Sequence, residues 1–437
     1  MKVSEPLSGR AAILGHPTSV FGLFLGSFLR ERRWDVSALC WEAADFFVSE
    51  DFPLRVVNTR VPVAPLTRFA RAAFVAGVDG TDAAARQIAR FRNRPQGVVP
   101  GAALQPPSVS YALLSSLAMA KWVRRCRPRF VFALEAYPHG LAAALSKDTT
   151  RIVMPWGGDI YQYAEASPLI RLILRYSLRR AHLVCPAAES AVAILRERYR
   201  LPSQRICAAP WGVDRSVFHP VDDRRRGELR DRYGLPRDAA VVLNVRRFAP
   251  HWGCHEAMEA LVALARSRSD CRCVLLGGGG EAYAHLSTEA QRRVKEQGLS
   301  QQFLFLPEVV TLQECADLMA LSDVFISLHR DRDMRSWSIV QAAACGAVPV
   351  LTDQEEYRLM ERDGFRASFV AAADAESVVR AIETYLDDDA LRAQARAANV
   401  SYVAQHEDLE IRMGRLLEAI GAAIRQREAT HTRRRSG

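Results

Sequence analysis

The stretch from Ser322 to Leu351, SDVFISLHRDRDMRSWSIVQAAACGAVPVL, carries the residue types best suited to hold a charged ligand. Val324 to Leu328 is apolar and too short for a helix, which predicts a buried strand. The loop from His329 to Arg335 is dense in charge. Ser336 stands where a helix N-cap belongs, Trp337 to Cys345 has the composition of a helix, and Gly346 supplies its stop before Val348–Pro349–Val350. Strand, polar loop, helix start and strand make a βαβ unit. At such a helix start the backbone N–H groups of Ser336, Trp337 and Ser338 lack intrahelical partners and point at an anion, as where α/β sheets hold phosphorylated ligands. The plainer reading of this stretch is an ordinary crossover with a solvated loop.

Two other places gather chemistry. Phe130 to Leu134 reads as a strand with Glu135, Tyr137 and His139 at its C-terminal edge. Arg151 to Met154 reads as the next strand, leading into Pro155–Trp156–Gly157–Gly158–Asp159. If the two strands are neighbours, His139 and Asp159 share one rim, an active-site arrangement. A helix-capping aspartate and a surface histidine are the plainer alternative. Cys271 to Leu276 is a strand ending in four glycines, Gly277 to Gly280, which permit a tight turn or close approach of backbone to a ligand.

The elements that must position these residues alternate strand and helix along the whole chain. Ala11 to Leu14 is a short strand ending at Gly15, with a turn from His16 to Ser19 and a helix from Val20 to Arg32. The turn lacks G-x-G-x-x-G, so a dinucleotide fingerprint is absent. The rhythm restarts at Ala240 to Val245, after the charged run Asp222–Arg232, which places a domain boundary near Pro220. We expect residues 1–220 and 221–405 to form two domains, a helix over 406–428 (Leu409 to Arg425 at its heart), and a frayed basic tail over 429–437.

Length and composition agree with two soluble globular domains: 437 residues, 49% apolar and 25% charged. Nine cysteines show no C-x-x-C spacing, which points to reduced thiols in a cytoplasmic protein and against a zinc site. No apolar run reaches the roughly 20 residues that span a bilayer. Ala11 to Leu29, interrupted by His16, Pro17 and Thr18, reads as strand, turn and helix, with no signal-peptide cleavage site after it. The net charge of +10 is uneven: 29 Lys+Arg against 16 Asp+Glu through Pro220, and 30 against 33 beyond it. A basic N-terminal half suits an anionic partner such as a phospholipid surface, a lipid-linked phosphate or an acidic polymer. Nucleic acid is not expected, for want of a supporting motif. The basic stretch Val61–Gly101 is the first candidate for contact with the cytoplasmic face of a membrane, an exposed surface helix being its plain alternative.

Several motifs in order carry a family likeness. Ala209–Pro210–Trp211–Gly212–Val213–Asp214, with Phe218–His219–Pro220, is similar to P-N-G-V-D…F-x-P; Val245–Arg246–Arg247–Phe248–Ala249–Pro250 to V-G-R-L-x-P; Val274 to Gly280 to L-x-I-x-G-x-G; and Gln341 to Val350 to E-A-M-A-C-G-x-P-V-V. The chain thus resembles the GT-B glycosyltransferases of family 4, the "group 1" set. The resemblance implies two facing Rossmann-like doubly wound domains with a C-terminal helix crossing back. It also implies a nucleotide-diphosphate sugar on the C-terminal domain, an acceptor on the N-terminal one, and retaining transfer without metal or cofactor.

Carried over by residue, the resemblance puts the E-x7-E acids at Asp333 and Gln341, for the donor sugar and the ribose. It puts Arg247 on the diphosphate, with Trp252 where the family has a lysine. Arg246, Arg330, Arg332 and Arg335 are candidates to replace that cation. Arg335 is the expected substitute; Arg246, adjacent to Arg247 on a strand, points the wrong way unless the chain has already turned. The donor side then comprises Arg247, Arg335, Ser336, Trp337, Ser338, Gln341, Gly277 and Gly278. The acceptor side comprises Gly15, His16, Glu135, His139, Trp156 and Asp159, with Asp333, Arg247, His139 and Asp159 as the catalytic set. Trp156 and Trp211 offer flat faces to a sugar ring, a place in the core being the plainer reading of each. The acceptor is a glycan, a lipid-linked sugar or a small molecule. Gln341 and Trp252 also fit a catalytically silent nucleotide-sugar-binding scaffold at a membrane, and a nucleotide-sugar epimerase is a third reading.

Overall fold

The computed structural model describes residues 9–15, 20–40, 55–58, 74–75, 108–208, 211–246, 248–276, 280–306, 310–329, 335–371 and 374–436, to which the structural statements below refer. Two compact units emerge. Leu104–Pro210 and Gly414–Gly437 join the amino-terminal strands in one, and Trp211–Met413 makes the body of the other.

The first unit is built on a seven-stranded sheet: β1 Gly9–Leu14, β2 Trp34–Cys40, β3 Arg55–Asn58, β4 Phe74–Val75, β5 Phe130–Ala133, β6 Thr150–Val153 and β7 Leu183–Val184, in the order β4-β3-β2-β1-β5-β6-β7. Only β4 runs antiparallel to its neighbour. The helices are α1 Val20–Glu31, α2 Val109–Cys126, α3 His139–Leu145, α4 Pro168–Arg180 and α5 Ala191–Glu197. Phe130, Val131, Phe132 and Ala133 are all buried, as befits a central strand with helices on both faces. α3 is almost wholly buried, short and alanine-rich, and it packs against α2 and α4. Small side chains let the neighbouring helices close over it.

The second unit has a parallel six-stranded sheet. Its elements run α6 Asp223–Arg232, β8 Ala240–Asn244, α7 Cys254–Ser267, β9 Cys271–Leu276, α8 Gly280–Glu296, β10 Phe303–Leu306, α9 Leu312–Leu321, β11 Val324–Ser327, α10 Trp337–Cys345, β12 Val348–Thr352, α11 Glu355–Arg362, β13 Ser368–Val370, α12 Ala375–Asp387, α13 Asp389–Tyr402 and the start of α14 Leu409–Ser436. Strand order is β10-β9-β8-β11-β12-β13. Alternate residues of each strand enter opposite cores. Val241, Leu243 and Phe325 meet α9 and α10 on one face, while Val242, Val324 and Ile326 meet α7 and α12 on the other. That is the period-two consequence of the pleat.

Two expectations change here. The charged run Asp222–Arg232 is the N-cap and body of α6. Asp222 caps it by accepting from the Arg225 N–H at 2.7 Å, and Arg226 and Arg230 reach Asp323 at 2.6 and 2.9 Å, anchoring α6 at the foot of β11. The units divide at Pro210–Trp211 because the residues just after it are sewn into the second unit. The Val213 N–H donates to Glu407 O at 2.6 Å and the Leu409 N–H to Val213 O at 3.0 Å. A Cβ on Gly212 would lie 2.4 Å from Leu409 Cα, so only glycine admits this approach. Finally, α14 continues to Ser436 where a frayed tail was expected; no proline interrupts its last turns, and alanine and arginine favour the helix.

Candidate functional site

In the first unit the strand order reverses between β1 and β5, which places a crevice at their C-terminal ends. Gly15 follows β1 there, and a Cβ on it would sit 2.8 Å from the Leu134 side chain, so its smallness lets the two strand ends approach. β5 and β6 are parallel neighbours, so Glu135, His139, Trp156 and Asp159 do share one edge. His139 is buried as the first residue of α3, with Nδ1 3.5 Å from Oε2 of the half-exposed Glu135. The Trp156 indole N–H donates to Leu134 O, tying its ring to the end of β5.

Asp159 has a different task from the one expected. Its Oδ2 accepts from the Ala136 N–H at 2.6 Å, and its Oδ1 faces the N–H groups of Trp156, Gly157 and Ile160, each at 3.0 Å. The carboxylate is buried and stitches the exits of β5 and β6 together instead of reaching for an acceptor hydroxyl. Burial pushes its pKa up to about 6, against the pull of the Ala136 hydrogen bond. A raised carboxyl pKa means the folded chain holds this proton more tightly than the unfolded one. Its contribution to stability is therefore largest below pH 4 and declines as pH rises towards 6. Asp159→Asn would turn an amide donor towards one of these N–H groups, and it is expected to lose about 1–3 kcal/mol at pH 7. Denaturant titrations should show that deficit widening between pH 7 and pH 5; a pH-independent deficit would contradict the assignment.

In the second unit the order reverses between β8 and β11. Asn244 closes β8, and its Oδ1 accepts from the Arg246 N–H at 2.7 Å, turning the chain off the sheet. The Arg246 side chain crosses to the end of β11, where Nε donates to Ser327 Oγ at 3.0 Å and Nη2 lies 2.7 Å from His329 Nε2. A guanidinium can only donate, so Nε2 accepts and the His329 proton sits on Nδ1. The His329 N–H in turn donates to Thr352 Oγ1 at 2.9 Å, extending the cluster to β12. Asn244, Ser327 and His329 were not singled out from sequence; the usable signal was that each ends or follows a strand adjoining the reversal.

The helix start at Ser336 is as expected, with one difference. The Ser336 hydroxyl lies 3.0 Å from Ser338 Oγ and makes no capping bond, so no side-chain cap occupies the first-turn N–H groups of α10. The Trp337 indole N–H donates to Gly212 O at 2.9 Å, and Gln341 is buried in the same helix. Gly346 ends α10 at φ +93°.

Arg335 does not supply the second cation. Its guanidinium is buried, bonded to Glu356 at 2.6 Å and Glu407 at 2.5 Å, and Arg412 shares Glu407 at 2.7 Å. Trp211 is buried, in keeping with the plainer reading of it as a core residue. Trp252 closes a 3-10 turn, Pro250–Trp252, pinned by Gly253 at φ +62°. His16, Arg247, Gly277, Gly278, Arg330, Arg332, Asp333 and most of Val61–Gly101 lie outside the described residues. Among the described residues no group of His, Cys, Asp or Glu converges as a metal set, and no helix is long and apolar enough to cross a membrane.

Comparison with known proteins bears on both halves. Residues 225–400 match the model "Glycosyl transferases group 1", and residues 102–187 match "Glycosyl transferase 4-like". An alpha-D-kanosaminyltransferase of Streptomyces kanamyceticus is 31% identical over 112 residues, covering 26% of this chain and 29% of that protein. A mannosylfructose-phosphate synthase of Agrobacterium fabrum is 27% identical over 177 residues, 40% and 38% respectively. The chain thus spans about a third of the length of these curated relatives. Among solved structures, sucrose-phosphate synthase from Thermosynechococcus elongatus superposes over 95% of this chain and 99% of its own, with a TM-score of 0.70 at 16% identity. Anabaena HepE, solved with UDP and glucose, covers 95% of this chain and 100% of its own, with a TM-score of 0.68 at 15% identity. The chain thus has the GT-B fold, with a segment similar to the group 1 glycosyl transferases over residues 225–400 and one similar to the glycosyl transferase 4-like model over 102–187.

Proposed function

We propose that the protein transfers a sugar, with retention, from a nucleotide-diphosphate sugar to a hydroxyl of a glycan, a lipid-linked sugar or a small molecule. The observation carrying this reading is the cluster at the β8–β11 reversal. There Arg246, held by Ser327 and His329, stands at the sheet edge that also leads to the uncapped amino end of α10. A cation and oriented N–H groups at one edge are what a departing diphosphate needs. The solved complex of HepE with UDP and glucose supports a nucleoside diphosphate as the ligand class.

In this reading Arg246 takes the place of the family's lysine beside Arg247, because the chain has turned at Asn244 and the strand alternation no longer sets its direction. Asp333 would meet the donor sugar and Gln341 the ribose hydroxyls. Charge neutralisation comes from side chains and backbone, without a metal. The departing phosphate oxygen takes the acceptor's proton, so positioning and electrostatics supply most of the rate. Glu135, the exposed partner of His139, is the group best placed to position an acceptor hydroxyl on the first unit.

A thermal-shift panel of UDP, GDP and ADP sugars tests the donor, followed by sugar transfer with the sugar that binds. Arg246→Ala is expected to lower turnover by about 10²–10³-fold, the usual loss for one preorganised donor to a developing oxyanion. Turnover unchanged by Arg246→Ala would remove the assignment. Binding without hydrolysis or transfer across a wide acceptor panel would instead favour the silent scaffold.

A further inference from the structure

Eight large apolar side chains are exposed among the described residues, and six of them fall on two helices of the first unit. Leu113, Leu114 and Leu117 lie on α2; Leu169, Leu172 and Tyr176 form a stripe along α4 at i, i+3 and i+7. Both helices also bury an opposite face, and both pack on α3, so they belong to one helical layer. Leu172 is 63% exposed, and with Leu169 and Tyr176 it forms a stripe, not a scattered single residue.

The charge on the same two helices is one-sided. α2 ends in Lys121, Arg124 and Arg125, and α4 carries Arg171, Arg175, Arg179 and Arg180; neither helix contains an acidic residue. More positive charge gathers at the carboxyl end of α4. Arg205 Nη2 donates to Arg179 O at 2.7 Å, and Arg151 Nε to Arg180 O at 2.8 Å. Burial first, and then the charges of Arg180, Arg427 and Arg205, bring the Arg151 guanidinium down to about 10.

We propose that this α2–α4 face docks on an anionic lipid bilayer, its leucines and Tyr176 entering the headgroup boundary and its cations meeting lipid phosphates. A protein partner would also cover leucines, but seven cations without an acid on the two helices that pack on α3 match a surface of uniform negative charge. The proposal deepens the acceptor side of the function proposed above, since α4 also packs on the Asp159–Tyr163 turn, so a bilayer here would bring an amphiphilic acceptor to that end of the unit. It also locates membrane contact on α2 and α4, where the sequence had pointed to Val61–Gly101.

The test is flotation of the full chain with phosphatidylcholine vesicles containing 30% phosphatidylglycerol or none. Binding is expected to the anionic vesicles only, and to weaken at high salt. Leu169→Ser with Leu172→Ser, and separately Arg175→Glu with Arg179→Glu, are each expected to weaken it more than tenfold, at about fivefold for each surface charge removed. Unaltered binding by both variants, equal binding to neutral vesicles, or no binding at millimolar lipid overturns the proposal. So does a dimer that the leucine variant dissociates while vesicles stay unbound. Nucleotide-sugar thermal shifts on the same variants keep the two readings apart, because neither pair of substitutions touches the β8–β11 cluster.

Discussion

Arg335→Met is expected to destabilise the second unit by about 3–5 kcal/mol and to lower its melting temperature by roughly 10 °C. Four charges meet in this cluster, Arg335, Arg412, Glu356 and Glu407, all with side chains less than a tenth exposed. Burial alone would depress the Arg335 guanidinium, but the Glu407 and Glu356 carboxylates overcome it and keep it charged. Methionine fills similar volume and removes the cation, which takes one buried ion pair from Glu356 and one from Glu407, the latter still paired with Arg412. Removing one partner of a buried ion pair costs far more than the intact pair contributes. Adding Glu356→Gln to Arg335→Met should restore a substantial part of the loss, because the amide no longer needs a cation. A melting temperature within a degree or two of the wild type would refute the cluster's role. Arg335 also directly precedes Ser336 at the start of α10, so under the proposed function donor affinity should fall with it.

Gly253→Ala is expected to cost about 3 kcal/mol or more, from two separate causes. The residue sits at φ +62°, and its added Cβ would lie 2.2 Å from the Leu328 carbonyl oxygen. The first is a left-handed conformation that alanine resists. The second forces α7 away from the exit of β11, which also displaces His329 from Arg246. Stability and nucleotide-sugar affinity should therefore fall together, and circular-dichroism melts with binding titrations on one preparation would show it. A variant with wild-type stability would mean that the backbone here yields freely.

The doubly wound pattern of the second unit was legible because each strand is short, apolar and bounded by glycine or a polar loop, as at Val324–Ser327 and Gly346. The shared edge of His139 and Asp159 was legible for the same reason. What each side chain does there was not. Asp159 and Arg335 look alike as charged residues at strand exits and helix starts, yet both are consumed internally, one by backbone N–H groups and the other by Glu407 and Glu356. Glu407 is far along the chain, and no local pattern reveals a partner brought in by tertiary folding. Arg246 was judged by strand alternation, which fails because Asn244 ends the strand one residue earlier than that argument required.

The last helix has a consequence for biosynthesis. Gly414–Gly437 belongs to the same compact unit as the first strands, with Arg129 Nε 3.3 Å from Glu428 Oε1. On the ribosome, the half translated first must wait for the final segment before it is complete, whereas Trp211–Met413 can finish earlier. Nascent chains stalled ahead of Gly414 should accordingly protect the later-made half from protease before the earlier one.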